Sequence, residues 1–163
     1  MVGAVALGPL LVCGVVEPTA GTAATADHTV SVINAEGKTA AEFTSAKCRV
    51  HKGGSFTALT GKTGTGYSLF VSIENFNGFG SYDLTQGANA DPYVSVLHGG
   101  QKEVSYSNLN VPPFQSFGFG QIVFRRHGKL MGVGYSPAYA KGGTDAVTFT
   151  GVLRCHYPKK KRG

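Results

Sequence analysis

Short stretches of alternating apolar and polar residues recur along the chain after residue 27, and no stretch of ten or more residues there keeps a helical period. A period of two belongs to strands that bury one face. In the run 67–74, Tyr67, Leu69, Val71 and Ile73 share a face. In the run 146–156, Val147, Phe149, Gly151, Leu153 and Cys155 share one. Similar runs occupy roughly 29–34, 39–43, 47–51, 55–59, 80–84, 93–98, 103–106, 121–126 and 129–135. Turn residues separate them: Glu36-Gly37, Lys52-Gly53-Gly54, Asn77-Gly78, Gln86-Gly87, His98-Gly99-Gly100, His127-Gly128 and Lys141-Gly142-Gly143. This pattern predicts an all-β fold, an antiparallel β-sandwich or flattened barrel of about 8–11 short strands.

Composition agrees with strands and tight turns. The chain has 163 residues, 24 of them glycine, and only 15% are charged. With 42% hydrophobic residues it can build one core, and no linker or fixed-length repeat divides it. The organisation read from the sequence is a leader over 1–26, a single β-sandwich domain over 27–157 and a basic tail over 158–163.

The leader reading rests on residues 1–16, an uncharged apolar run, followed by small residues ending Ala24-Thr25-Ala26. An apolar segment before Ala-x-Ala is how a secretory signal peptide ends, because signal peptidase accepts only small side chains there. Cleavage would leave Asp27 first. No Lys or Arg precedes the apolar run, so the start of translation is expected upstream. Cys13 after Leu10-Leu11-Val12 offers a second outcome, a lipoprotein-type leader with a lipid at Cys13, although Val12 is a poor match to the small residue such a box prefers. The expected location is secreted or cell-surface.

Removing the leader leaves two of the three cysteines, Cys48 and Cys155. An exported chain with two cysteines pairs them most simply. The closed loop is long, and the chain-entropy model assigns such a loop up to ~4.7 kcal/mol. The competing reading is a metal held by Cys48, His51, Cys155 and His156. Adjacent residues on a strand point to opposite faces, so Cys155 and His156 do not converge on one ion. The expectation is a disulfide, with no metal and no cofactor.

The order Gly-Gly-Ser-Phe-Thr-Ala-Leu (53–59), Tyr-Ser-Leu-Phe-Val-Ser-Ile-Glu-Asn-Phe (67–76) and Gly-Phe-Gly-Ser-Tyr-Asp-Leu (78–84), with the final Val-x-Phe-Thr-Gly-x-Leu-x-Cys (147–155), resembles bacterial exported β-sandwich proteins, often lipoproteins, of unknown function. The resemblance covers residues 47–157. It implies export and a sandwich, and it carries no catalytic residue.

Chemistry is sparse. No His-Glu-x-x-His, Gly-x-Ser-x-Gly or phosphate-loop pattern occurs. Asp83 and Glu74 are the only carboxylates beside glycine–aromatic loops, and a two-carboxylate hydrolase needs its pair about 5–10 Å apart. The aromatics Phe76, Phe79, Phe114, Phe117 and Phe119 are candidate ligand-facing residues, or else plugs for the ends of the sandwich. The segment 108–120, with Pro112-Pro113, reads as a loop crossing one end. The absence of Trp counts against sugar binding.

The formal charge of +6 is unevenly placed. Lys159, Lys160, Lys161 and Arg162 form a terminal run, and without it the body is close to neutral. Arg125, Arg126 and Lys129 mark a second basic cluster at a hairpin tip. Both are candidates for anion contact, the tail a weak one. Bases do not alternate with aromatics, so specific nucleic-acid binding is not expected.

Three functions fit this reading. The first is a secreted or surface-attached binding or structural module for an unknown envelope or extracellular ligand. The second is an envelope hydrolase or cyclase using a loop carboxylate. The third is a small secreted effector or inhibitor of another protein.

Overall fold

The computed structural model describes residues 28–85, 90–99, 104–110, 118–142 and 145–159. They form eleven strands and no helix. In chain order these are β1 (Val30–Ile33), β2 (Thr39–Phe43), β3 (Ser45–Val50), β4 (Phe56–Thr60), β5 (Tyr67–Ile73), β6 (Ser81–Leu84), β7 (Tyr93–His98), β8 (Val104–Ser107), β9 (Phe119–Arg125), β10 (Leu130–Ala140) and β11 (Ala146–His156). Each strand falls on one of the alternating runs.

The two 11-residue strands, β10 and β11, organise the rest. They pair with each other along most of their length. On its other edge β11 pairs first with β1, through Thr148–Gly151, and then with β3, through Arg154–His156. The outer edge of β10 pairs first with β9 and then, at Tyr139 and Ala140, with β8. One layer is therefore β2-β1-β11-β10-β9-β6, and β3, β4, β5, β7 and β8 form the other. Pairing runs continuously from β11 through β3, β4, β5, β7, β8 and β10 back to β11, so the sandwich is also a flattened closed barrel. Every pairing is antiparallel except β3–β11, which is parallel.

Each long strand has a device at its corner. Gly151 has φ +140°, and a Cβ there would run into the Thr29 carbonyl. Only glycine lets β1 come this close as β11 passes from β1 to β3. On β10 the register shifts between Tyr135 and Ala138, around Ser136-Pro137. A bulge is where a strand tolerates a residue without an N–H. The sequence run 129–135 stops short of Ala140, where β10 ends past Pro137. Likewise Phe119, read as loop, is the first residue of β9.

Inward faces of both layers build one core. Phe56, Phe149, Leu69, Ile73, Ile122, Met131 and Leu153 are fully buried, each contributing about 1.5–3 kcal/mol of transfer free energy. The rings of Phe56 on β4 and Phe124 on β9 meet edge to face at 4.9 Å, joining the layers. Asn108 is a buried polar exception. Its Oδ1 accepts from the Val94 amide at 3.0 Å, and its Nδ2 donates to the Thr85 and Pro92 carbonyls at 2.8 Å each. Those bonds tie the end of β8 to the approach to β7.

Cys48 and Cys155 are joined by a disulfide, with Cα atoms 5.3 Å apart and a sequence separation of 107. Both face inward. The bond spans the parallel seam between β3 and β11, where Cys155 lies opposite Ala46. Among the described residues no helix is long and apolar enough to cross a membrane.

Candidate functional site

The outer face of the β6–β9–β10–β11 sheet is hollowed into a groove of about 810 Å³. The hollow follows from sequence. Outward positions on β10 are Gly132, Gly134 and Ser136, so the middle strand carries almost no side chain while its neighbours do. A Cβ at Gly134 would meet only Thr150 Oγ1, at 3.7 Å, and one at Gly132 would make only ordinary contacts. Neither glycine is required by the backbone there. Their effect is to leave the floor open.

Strand register arranges the lining in rows. Gly134 lies opposite Gln121 on one side and Thr150 on the other. Gln121 lies opposite Asp83, and Thr150 opposite Ser31, which in turn pairs with Glu42. The result is a polar row across the sheet: Asp83, Gln121, Gly134, Thr150, Ser31, Glu42. Gln121 Nε2 donates to Asp83 Oδ1 at 3.1 Å. At the other end the Ser31 hydroxyl donates to Glu42 Oε1 at 3.5 Å. One neighbouring row is apolar, with Val123 and Val152 flanking Gly132. The other holds Phe119 beside Ser136, whose Oγ is 2.6 Å from Thr148 Oγ1. Phe119 is 79% exposed, the most exposed large hydrophobic side chain among the described residues. Arg125 stands at the end of the groove.

Other sequence candidates lie elsewhere. Phe76 is half-buried and belongs to an aromatic cluster at one end of the sandwich. It stacks on Phe56 at 5.3 Å and meets Phe79 at 5.5 Å, and Phe79 meets Phe124 at 5.6 Å. Phe114, Phe117, Lys160, Lys161 and Arg162 lie outside the described residues. Lys159 is exposed just beyond β11. Arg126 and Lys129 do not share the groove with Arg125; they line a separate hollow beside the disulfide. Within the hairpin turn, Arg126 and His127 both have φ +52°.

The two carboxylates singled out from the sequence, Asp83 and Glu74, sit on strands or strand ends of different layers. Glu74 follows β5 in the opposite layer, and its backbone N–H donates to Asp91. Asp83 and Glu42 sit on the two edge strands, β6 and β2, five strand spacings or about 24 Å apart. Burial would raise the Asp91 carboxyl, but hydrogen bonds from the Glu74 and Asn75 amides and the Asn75 side chain outweigh it and hold it below its ordinary value. That is the pattern of a loop clamp. His51 Nε2 pairs with Thr57 Oγ1 at 2.9 Å, Cys48 is consumed by the disulfide, and no cluster of three or more metal-ligating side chains exists among the described residues.

The groove is not legible in any one stretch of sequence. Its signal was present in the outward positions of three consecutive runs, but it needed the strand order β9–β10–β11 to be read. No protein family, curated protein or solved structure matches this chain.

Proposed function

We propose that this chain is an exported binding module that holds a short stretch of a neutral, hydroxyl-rich polymer, an oligosaccharide, in the glycine-floored groove. The polar row from Asp83 to Thr150 carries this reading. A carboxylate, an amide and hydroxyls in one line can donate to and accept from ring hydroxyls, and a floor without side chains lets a sugar ring approach the sheet. Phe119 supplies an exposed ring face at the edge, the stacking surface that a chain without Trp would otherwise lack. The groove opens to solvent, which suits a segment of a polymer better than a small enclosed ligand. Export is supported by the leader pattern and by the disulfide, which persists in a non-reducing compartment.

The test is an amide NMR titration of the domain with hexasaccharides of glucose, N-acetylglucosamine and mannose. Shifts centred on Gln121, Gly134 and Thr150 with at least one of them support the proposal. No shift at those amides with any of the three contradicts the oligosaccharide assignment.

A further inference from the structure

We infer that the hollow beside the disulfide is a second binding site, for a tetrahedral oxyanion of the phosphate or sulfate class. It holds about 520 Å³, and its wall carries Arg126, Lys129, Arg154, His28, His156 and Tyr157, with no Asp or Glu lining it among the described residues. His28, Arg154 and His156 also face an adjoining hollow of about 290 Å³, which likewise has no carboxylate lining it among the described residues. Three basic side chains, Arg126, Lys129 and Arg154, line one hollow and repel one another, and an anion relieves that repulsion. The two guanidinium groups offer planar forks of N–H donors that match the oxygens of a tetrahedral anion.

The fold assembles this cluster from distant sequence. Arg154 lies opposite Leu130 in the β10–β11 pair, and the Cys155 amide donates to the Lys129 carbonyl at 3.0 Å. The hairpin turn is thereby held against the last strand. Its conformation is also costly. Arg126 and His127 both occupy the left-handed region that non-glycine residues avoid. Three contacts offset that cost. Tyr157 donates its hydroxyl to the Gly128 carbonyl at 3.0 Å, the Phe79 ring packs where a Gly128 side chain would stand, and the Lys129 amide donates to the Arg126 carbonyl at 3.2 Å. A turn kept in an unfavourable form by dedicated contacts is a positioned turn, and what it positions is Arg126 and Lys129 opposite Arg154.

Arg125 serves as an internal control, because it faces the groove rather than this hollow. The site stands on its own geometry and does not depend on what the groove binds.

The experiment is calorimetric titration of the full chain at low ionic strength with inorganic phosphate, inorganic sulfate and acetate. Variants are Arg154→Ala, Lys129→Ala, Arg125→Ala and a chain ending at Pro158. Saturable binding of phosphate or sulfate is expected, with the tighter of the two naming the ester class. Arg154→Ala and Lys129→Ala should each weaken it by about tenfold, the scale of one charge-assisted hydrogen bond. Arg125→Ala and the shortened chain should stay within about twofold of the parent, below the scale of one such bond. Three results would overturn the inference: no saturable binding of either ion, acetate binding as tightly as both, or loss of binding in the Arg125→Ala or shortened chain to the same degree as in Arg154→Ala.

Discussion

The hydroxyl of Tyr157 donates to the carbonyl of Gly128 at 3.0 Å across 29 residues of sequence, so the residue after the last strand fixes the turn between β9 and β10. Burial pushes the Tyr157 phenol up to about 12, and the neutral hydroxyl is the form that donates. Tyr157→Phe removes this bond without changing the charge of the domain at neutral pH. The expected outcome is a loss of about 0.5–1.5 kcal/mol in urea unfolding and weaker oxyanion binding, because the strained turn loses one restraint. Because the folded pKa is raised, the stability tied to this proton is full below about pH 10 and disappears as pH rises toward 12. The Phe variant should show a smaller loss over that window.

The disulfide acts at the parallel seam. Cys48 and Cys155 close a loop across 107 residues, and the bridged strands β3 and β11 share only a short parallel register, Arg154 to His156 with Ser45 to Lys47. Replacing both cysteines with alanine should lower the unfolding free energy by ~2–5 kcal/mol. Hydrogen exchange should quicken first in β3 and at the end of β11, because those amides depend on the seam.

Asp91 anchors the loop after β5. Its carboxylate accepts from two backbone amides and the Asn75 side chain, and its pKa is lowered. The charged form is therefore favoured by folding. Its contribution is present above the ordinary carboxylate range and is lost as pH falls through the lowered value. Asp91→Asn should reduce stability at pH 7 and flatten the acid limb of a stability–pH profile measured by thermal melting.

Tyr135 presents the opposite case. Its hydroxyl is buried without a hydrogen-bond partner among the described residues, and burial, with Tyr139 as a smaller cause, raises its pKa to about 12. Its ring stacks on Phe149 at 5.8 Å. Tyr135→Phe keeps the ring and removes the unsatisfied group, so it should leave stability unchanged or raise it by about 1 kcal/mol in urea unfolding.

Much of this architecture was legible in the sequence, and the reason is local. Period-two alternation located every strand, because each has one face in the core and one outside, and glycine marked the turns. The inward position of Cys155 followed from the same parity as Phe149 and Leu153. What escaped depended on non-local geometry. Nothing local says that β11 changes partners at Gly151, that β10 continues past Pro137, or that β3 runs parallel to β11. The groove exists because Gly132 and Gly134 lie between Gln121 and Thr150, which are adjacent only once β9, β10 and β11 are ordered. Arg125 and Arg126 looked like one cluster because they are neighbours in sequence, yet strand alternation and the turn direct them to different hollows. Arg154, His28 and His156 join the second hollow only through tertiary structure.

Filling the floor of the groove tests oligosaccharide binding there most directly. Gly134→Leu places a side chain where a Cβ meets only Thr150 Oγ1 at 3.7 Å, so the fold should survive while the groove is blocked. The measurement is affinity for the best hexasaccharide of the NMR series, by calorimetry, for the parent and for Gly134→Leu, with melting temperatures recorded alongside. Binding should disappear while the melting temperature changes by no more than a few degrees, about the shift of a 1 kcal/mol change. Undiminished binding in a folded Gly134→Leu chain would contradict binding in the groove.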